Sequence, residues 1–345
     1  MLPYICETEY MRERVVQSGD ASFRLTPEEK VRRQRAHLRP PAEALPAAEG
    51  NDPFSCLAWA YRQLAALTGA LWSSHNNEQG FRKLAAQIID ATRQHPHATM
   101  AAMLWLPFSS YAHAHAVQVA TLSARIAALL GTPAHEIETL ACAALTMNIA
   151  MIELQDRLWK QHRPLSDAQI KQVRFHPIIG SAILREVGIA DTRWHRLVLT
   201  HHERYNGKGY PFGLERKGIK RQAHLLHIVD TLLAWLHPRP HLPAKPPGVH
   251  VGELIRQRDQ LIDPEIAEML AREIGLFPPG SLVRREDGEI AIVIAAGDSI
   301  ETPLTLPVHA LASEARPTPT RVREALPAGT LKKNIAELAG LWKDL

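Results

Sequence analysis

Two adjacent histidines, His201 and His202, stand in the stretch LTHHERYNGKGYPFGL, directly before a loop that contains several glycines. Neutral imidazole is a good ligand for iron, zinc, copper and nickel, so such a pair can hold a metal ion. Glycines beside the pair would let a substrate approach the backbone of the loop closely. The plainer alternative is a helix that ends in two histidines and is followed by an ordinary turn. The pair alone leaves both interpretations open.

The chain contains 18 histidines, and most of them need no special function. We expect surface or satisfied core positions for His113, His135, His162, His195 and His241. The residues to weigh together with the adjacent pair are His115, His176 and Asp230. Asp230 lies in the apolar run LLHIVDTLLAWL, where an aspartate is costly to bury unless it is paired or binds a metal. Because these residues are scattered, their spacing alone does not establish a metal site.

The candidates lie on separate predicted helices or at helix ends, and the helices of a bundle can project such groups into one cavity. Apolar residues at helical spacing predict helices from Cys56 to about residue 275. Residues 111–132 are predicted as an amphipathic helix, and the run 134–154 as one central buried helix. SDAQIKQVRFH begins with a serine N-cap, and PIIGSAILREVG is predicted as a further helix after it.

The pattern changes after Phe277. PPGSLVRREDGEIAIVIAAG has β-branched runs on both sides of an EDGE turn, which predicts a hairpin, and TPLTLPVHAL predicts one more strand. The predicted fold class is therefore mainly α, with a helical bundle and a small C-terminal β appendage. We expect an irregular N-terminal arm and linker over residues 1–50 and a helical domain over 51–275. The β appendage is expected over 276–312, and a C-terminal tail with a short helix over 313–345.

Composition excludes several classes of protein. No apolar run approaches the roughly 18 residues of a membrane span, and the N-terminus lacks the apolar core of a signal peptide. We therefore expect a cytoplasmic protein without membrane insertion. The three cysteines are far apart, which argues against disulfides and a zinc ribbon. The basic cluster KVRRQRAHLR is interpreted as a solvated linker, and no nucleic-acid binding is expected because no recognisable module accompanies it.

The stretch HHERYNGKGYP resembles the signature of the HD-GYP family, a branch of the HD-domain metal-dependent phosphohydrolases. That signature is HHE, a basic residue, a short spacer and GxGYP. Three further stretches resemble family features, namely FHPIIGSAIL, AHLLHIVDTLLAWLHPRPH and FPPGSLVRREDGEIAIV. The resemblance extends over about residues 52–310. It implies an HD-domain helical bundle, a bacterial signal-transduction role and hydrolysis of the second messenger cyclic di-GMP.

The resemblance also implies roles for individual residues. The positions that match family metal ligands are His115, His176, His201, His202 and Asp230. The positions that match the family's substrate loop and phosphate-contacting arginine are Gly207, Lys208, Gly209, Tyr210, Pro211 and Arg239. In the family this site holds two or three metal ions, often iron or manganese.

The chain departs from the family in the predicted central helix, where the family reads roughly AALLHDIGK and this chain reads AALTMNIAM. Met147, Asn148 and Met151 stand at the positions of the family's His, Asp and Lys, and Tyr111 stands where one subset has an extra glutamate. Two divalent ions ~3.7 Å apart repel strongly unless carboxylates offset their charge. Asp230 is the only carboxylate left among the matched ligands. We therefore expect one ion or reduced occupancy.

These departures favour a signalling protein that binds cyclic di-GMP, or a partner such as a GGDEF-domain protein, with little or no hydrolysis. The GGDEF partner follows from the resemblance, because family GYP loops are associated with contacts to such domains. The main alternative is an active metal-dependent cyclic di-GMP phosphodiesterase that produces the linear dinucleotide or GMP. A third interpretation is a structural remnant in which the histidine pair merely caps a helix.

Overall fold

A computed structural model describes residues 24–36, 52–74, 76–236, 249, 251–253, 256, 261–311, 315–327, 330–331 and 338–342. The α-helices in chain order are α1 (Pro27–Ala36), α2 (Pro53–Gly69), α3 (Asn77–Gln94), α4 (Pro96–Trp105), α5 (Tyr111–Leu129), α6 (Ala134–Thr146), α7 (Ile152–Lys160), α8 (Asp167–Glu186), α9 (Thr192–Thr200), α10 (Arg221–Leu236) and α11 (Pro264–Ile274). The predicted mainly helical fold class is confirmed. None of the described helices is long and apolar enough to cross a membrane.

Helix α5 is the centre of the bundle, and it packs most extensively on α6. Almost every residue of α5 is buried, including the polar side chains of His115, Gln118 and Ser123. The amphipathic helix predicted here is therefore wrong in detail, since the helix is covered on all sides. Its many alanines let neighbouring helices approach from several directions. The predicted helix over 134–154 is also two helices, because the chain turns at residues 147–151 between α6 and α7.

Helix α8 runs through Pro177 without a break. The sequence predicted two helices here because a proline inside a helix removes a backbone hydrogen bond. A capping box at the start, in which Ser166 and Gln169 satisfy each other's backbone N–H groups, stabilises the single long helix. Burial of Ile178, Ile183 and their neighbours in the core holds the second half against the bundle. Tertiary packing thus overrides the local preference.

The C-terminal strands form one antiparallel sheet in the order β4-β3-β2-β1-β5. The strands are β1 (Leu282–Arg285), β2 (Ile290–Ala295), β3 (Leu304–Pro307), β4 (Thr318–Pro319) and β5 (Val322–Leu326). The hairpin β1–β2 and the strand β3 lie where the sequence predicted them. Strands β4 and β5 lie beyond residue 312, in the segment predicted as a tail. The sheet contacts α4, where the indole N–H of Trp105 donates to the carbonyl of Gly280 over 2.7 Å.

Part of the predicted N-terminal linker is a helix that docks on the bundle. Lys30 of α1 forms an ion pair of 2.6 Å with Glu186 at the end of α8. Arg33 donates to the carbonyl of Ala150 over 3.3 Å, and Leu25 is buried in the core. The solvated-linker interpretation of this basic cluster is therefore wrong for its residues 30–36. The charged residues are placed at helical spacing, so some of them reach acidic and carbonyl partners on neighbouring elements.

Candidate metal centre and adjoining loop

Three histidines from two helices converge at one point of the bundle. His176 comes from the middle of α8, and His201 and His202 directly follow α9. One ligand atom of each ring lies within 4.8 Å of the others, so the three could hold one metal ion. His176 and His201 are buried, and His202 is nearly so. The structure thus brings together three of the four histidines that the sequence analysis singled out.

Pro177 explains how the ring of His176 is oriented. A helical residue at position 177 would normally donate its N–H to the carbonyl of Val173, and proline has no N–H to donate. That carbonyl instead accepts a hydrogen bond of 2.6 Å from Nδ1 of His176. A carbonyl oxygen only accepts, so Nδ1 carries the proton and Nε2 keeps its lone pair. The sequence pair His-Pro therefore fixes the tautomer that a metal ligand needs.

His201 is oriented by the same device at the end of a helix. Its Nδ1 donates to the carbonyl of Val198 over 2.7 Å. Val198 lies in the last turn of α9, where backbone carbonyls run out of helical partners. The Nε2 atoms of His176 and His201 then face each other at 3.0 Å. Two lone pairs aimed at one another repel unless a proton or a cation lies between them.

Burial favours the cation over the proton. It lowers the pKa of His176 to about 3, with a further contribution from the charge that His201 would carry. Burial likewise lowers the pKa values of His201 and His202. All three rings are therefore neutral at pH 7. A convergent set of neutral imidazoles fits a divalent transition-metal ion, so these residues suit the metal that the resemblance implies.

Asp230 and His115 lie beside this cluster but bind each other. Oδ1 of Asp230 is 2.7 Å from Nε2 of His115, and Oδ2 is 4.0 Å from Nδ1 of His202. Burial by itself would raise the pKa of Asp230, but the hydrogen bond and charge of His115 hold it below its ordinary value. Asp230 is therefore an ionised carboxylate at neutral pH. It supplies negative charge next to the histidines, while its hydrogen bond to His115 engages one of its two oxygens.

The residues at the family's HD positions occupy the turn after α6. Met147 is fully buried in the hydrophobic core, and its carbonyl lies against Gly180, one turn beyond His176 on α8. Asn148 is buried, and its Oδ1 has no hydrogen-bond partner within the described part of the chain. A buried amide oxygen without a partner is costly, and it is also a ligand that a metal ion can use. Met151 is half-buried and precedes α7.

Tyr111 stacks on the ring of His115, with ring centres 5.4 Å apart. It also stacks on Trp159 of α7, with ring centres 5.6 Å apart and the rings nearly parallel. An aromatic wall thus stands where a subset of the family has a ligating glutamate. A phenol ring in this stack adds no carboxylate to the site.

Glu203 holds the loop that follows the histidine pair. Its buried carboxylate accepts the backbone N–H groups of Phe212 and Leu214, each over 2.7 Å. The backbone of Gly209 is packed so closely that a Cβ atom there would lie 2.5 Å from the Cα of Glu203. The close approach requires glycine at this position. Glutamate in the HHE stretch is thus a brace for the loop, which sequence reasoning did not assign.

Tyr210 is the residue of the loop that contacts the histidines. Its backbone N–H donates to the carbonyl of His202 over 3.2 Å, and the two rings are 4.6 Å apart. The peptide bond to Pro211 is cis. Gly207 has a positive φ, and the N–H of Lys208 donates to the side chain of Asn206 at the outer end of the loop. Arg239, the remaining predicted substrate residue, lies outside the described residues.

Two histidines of α10 were missed by sequence reasoning. Nδ1 of His227 donates to the carbonyl of His201 over 3.1 Å, and the ring lies 6.2 Å from that of His202. Nε2 of His224 accepts the backbone N–H of Asp263 over 3.2 Å. The signal was present in the sequence, because residues 224, 227 and 230 are spaced by three and share one face of a helix.

Five histidines were expected at surface or satisfied core positions, and the structure describes four of them. His195 is a satisfied core residue, bonded to Ser181 and to the carbonyl of Ile189, each over 2.9 Å. His113 contacts the hydroxyls of Thr68 and Ser110 at 2.9 and 2.8 Å. His135 and His162 are exposed, and His241 lies outside the described residues.

The bundle gathers histidines and an aspartate from α5, α8, α10 and the end of α9, and a small sheet follows at its C-terminal end. These features define a mainly helical protein with a candidate metal site. The profile of the HD domain matches residues 83–266, which is more than half of the 345-residue chain. The chain therefore belongs to the HD domain family, and its stretch HHERYNGKGYP resembles the signature of the HD-GYP branch.

The chain is 28% identical over 224 residues to the cyclic di-GMP phosphodiesterase PA4108 of Pseudomonas aeruginosa, covering 64% of this chain and 53% of that protein. It is 29% identical over 154 residues to the cyclic di-GMP phosphodiesterase response regulator RpfG of Xanthomonas campestris, covering 43% and 39%. The chain thus spans about half the length, or less, of these relatives. The fold is similar to that of Bd1817, an HDG"Y"P protein from Bdellovibrio bacteriovorus, with a TM-score of 0.53, 18% identity and coverage of 71% of this chain and 80% of the other.

Proposed function

We propose that this chain is a cytoplasmic signalling protein that binds cyclic di-GMP beside a single divalent metal ion and hydrolyses it slowly or not at all. The observation that carries the proposal is the pair of Nε2 lone pairs, on His176 and His201, that face each other at 3.0 Å with His202 beside them. Such a trio suits one ion. Asp230 is the only carboxylate among the matched ligands, and one of its two oxygens is hydrogen-bonded to His115, so a single carboxylate would have to offset the charge of a second ion.

In this proposal His176, His201 and His202 hold the ion, and the amide oxygen of Asn148, which has no hydrogen-bond partner among the described residues, is a further candidate donor. When bound, a divalent ion acts as a Lewis acid that neutralises charge on a phosphoryl oxygen. The protein's own residues orient the ligands, because Val173 and Val198 fix the tautomers through their carbonyls. The donor set favours iron over manganese, since imidazole suits iron and manganese prefers oxygen ligands.

We expect slow hydrolysis because Met147, Asn148 and Met151 are uncharged. Met147 is buried in the hydrophobic core, and its thioether side chain carries no charge. Asn148 is neutral where the family has a bridging aspartate, and Met151 lacks the positive charge of the family's lysine. Without a second ion and that lysine, developing charge on the phosphate is stabilised less.

The proposal is tested by measuring metal, binding and turnover separately. Protein from iron- and manganese-replete cells should contain about one metal ion per chain by this site count. Cyclic di-GMP should bind in calorimetry, while chromatography should detect little linear dinucleotide or GMP. His201→Ala should remove the metal, and His135→Ala, at an exposed histidine, should not. Protein that has neither metal nor affinity for cyclic di-GMP would contradict the proposal.

Restoring the family residues provides a gain-of-function test. Met147→His together with Asn148→Asp should raise the metal content towards two ions, because an aspartate can bridge them. A control with Met100→His, in a buried helix elsewhere, reports the effect of a new buried histidine alone. No gain in metal would mean that the core has repacked around Met147 and no longer accepts a second ion.

The second candidate function is an active cyclic di-GMP phosphodiesterase, which the similarity to several cyclic di-GMP phosphodiesterases favours. Robust turnover that is lost in Asp230→Asn would establish it. Binding to a GGDEF-domain partner stays a prediction from the sequence resemblance. A pull-down with a purified GGDEF domain, compared between the chain and a Tyr210→Ala variant, tests it.

A further inference from the structure

The ring of Tyr210 lies between the histidine cluster and an exposed arginine. Its centre is 4.6 Å from that of His202 and 6.4 Å from that of His176. The guanidinium carbon of Arg174 lies 5.9 Å from the same ring centre. Arg174 belongs to α8 and precedes His176 by two residues, so one helix supplies both a candidate ligand and the cation.

Arg174 is available to an anion because no acidic side chain of the described residues pairs with it. The comparison within the bundle is direct, since Arg82 and Arg125 are both held by carboxylates at 2.7 Å. Arg174 instead rests against an aromatic ring, which attracts the cation through its face and leaves the N–H edges free to donate. A guanidinium held in this way keeps its capacity for two parallel bonds to a phosphate.

Arg204 adds a second positive charge on the segment that follows the histidine pair, two residues after His202. It follows Glu203 at the start of the braced loop, and no ion pair joins it to an acidic residue in the part of the chain that the structure describes. Burial raises the pKa of Tyr210, while the charges of Arg204 and Arg174 act in the opposite direction. Arg204 is exposed, and its backbone nitrogen packs against Gly209, the residue before Tyr210.

We propose that Arg174 and Arg204 bind a phosphate group of the nucleotide at the edge of the histidine cluster, and that Tyr210 positions the guanidinium of Arg174 for this contact. The inference rests on the proposed function and deepens it by naming residues that recognise the ligand. The braces on the loop keep Tyr210 in place, because Glu203 and the close packing at Gly209 fix the backbone on both sides. The arginine pair supplies a positive charge independent of residue 151.

The test is calorimetric binding of cyclic di-GMP and of inorganic pyrophosphate to a small set of variants. Arg174→Ala should weaken both ligands by roughly tenfold to a hundredfold, the range for losing charge-assisted hydrogen bonds. Arg174→Lys should give an intermediate loss, since lysine keeps the charge but not the planar fork. The matched control is Arg193→Ala, because Arg193 is an exposed arginine at the opposite end of α9 from the histidine pair. It should bind like the unaltered protein.

Metal content and circular dichroism should be unchanged in Arg174→Ala, which separates loss of a phosphate contact from loss of the site or the fold. Tyr210→Phe keeps the ring and should retain affinity, whereas Tyr210→Leu should lose part of it even if it folds normally. Equal binding by Arg174→Ala and the unaltered chain would overturn the inference while leaving the proposed function intact.

The pyrophosphate measurements separate the two proposals further. Binding of pyrophosphate that depends on Arg174, without any binding of cyclic di-GMP, would support the phosphate site and contradict the proposed function. An unaltered chain that binds neither ligand would contradict both.

Discussion

His176 and His201 show how single residues prepare a metal site. Each ring donates a hydrogen bond from its Nδ1–H to a backbone carbonyl three residues earlier, so the lone pair on each Nε2 faces the other ring. The carbonyl of Val173 is available because Pro177 has no N–H to donate to it. The carbonyl of Val198 is available because α9 ends there. The repulsion between the two lone pairs is a local cost that a bound cation would convert into a gain. The site is therefore organised before any ligand arrives.

Pro177→Ala should separate stability from metal affinity. The alanine N–H can take back the carbonyl of Val173, so the helix gains up to about 3 kcal/mol of unfolding free energy. The ring of His176 loses its orienting partner, and metal affinity should fall by roughly tenfold to a hundredfold. Urea unfolding and competitive metal titration measure the two effects.

The control for this variant is Pro264→Ala at the first turn of α11, where proline releases no carbonyl inside a helix. It should leave metal affinity unchanged. If Pro177→Ala binds metal as tightly as the unaltered chain, the carbonyl of Val173 does not orient His176.

At the scale of elements, the segment after α9 depends on one buried carboxylate. Glu203 spans the loop by accepting two N–H groups that lie nine and eleven residues further along the chain. The close approach at Gly209 allows the loop to fold back onto its own start. The hydrogen bonds of Glu203 and the packing at Gly209 fix the backbone of the loop. They explain how Tyr210 is held beside His202.

Glu203→Gln should destabilise this loop, because the amide turns an N–H group towards one of the two backbone donors. The expected cost is about 1.5–3 kcal/mol, typical of hydrogen bonds to a charged group. Urea unfolding measures the total, and hydrogen exchange at Phe212 and Leu214 locates it. Glu215→Gln, at an exposed residue of the same loop, should have little effect. Unchanged exchange in Glu203→Gln would contradict the brace.

His224 connects α10 to the start of α11. Its Nε2 accepts the backbone N–H of Asp263, the N-cap of α11, so the ring must be neutral to make this contact. Burial, helped by the charge that His227 would carry, lowers its pKa to about 3. The ordinary pKa is about 6.5. Below that pH the unfolded state binds the proton and the folded state does not.

The free energy of unfolding should therefore fall as the pH drops below about 6.5. Above that pH the stabilisation that depends on neutral His224 is fully present. By pH 5 about 2 kcal/mol of it should be lost. His224→Gln should show a shallower decline over the same range, since glutamine accepts the N–H without titrating. His135→Gln, at an exposed site, should decline like the unaltered chain. Parallel pH profiles for His224→Gln and the unaltered chain would show that His224 is not the titrating group.

At the scale of the whole molecule, the candidate site is a junction of the bundle. Helices α5, α8 and α10 each contribute a side chain to it, and the histidine pair follows the end of α9. The sheet packs elsewhere, against α4. A ligand that joins α8 to the end of α9 therefore holds separate parts of the core together. Binding there should therefore raise the free energy of unfolding of the whole bundle.

Metal loading should raise the melting temperature. At a free metal concentration of 100 Kd, the gain in unfolding free energy is about 2.7 kcal/mol, which corresponds to several degrees for a domain of this size. Chelation should reverse the shift. His201→Ala should melt at the same temperature with and without metal, and His135→Ala should keep the full shift. A shift that persists in His201→Ala would place the metal somewhere else.

Much of the fold and of the site followed from local sequence. Apolar periodicity predicted the helices because each must bury one face, and the EDGE turn predicted the hairpin. The histidine pair and His176 emerged as ligand candidates because imidazole has this chemistry wherever it is placed. The family followed from HHERYNGKGYP, since the glutamate and glycines of that stretch are required by the loop that they build.

Only the tertiary structure decided which of these groups meet and in what state. It joined α8 across Pro177, because packing outweighs one lost hydrogen bond, and it covered α5 on all sides. It set Asp230 against His115 and placed Tyr210 between His202 and Arg174, contacts between residues far apart in the chain. The protonation of His176 depends on burial as well, because removing water raises the cost of charge. Sequence determines which side chains are present, whereas distance, orientation and dielectric environment arise only when the chain is folded.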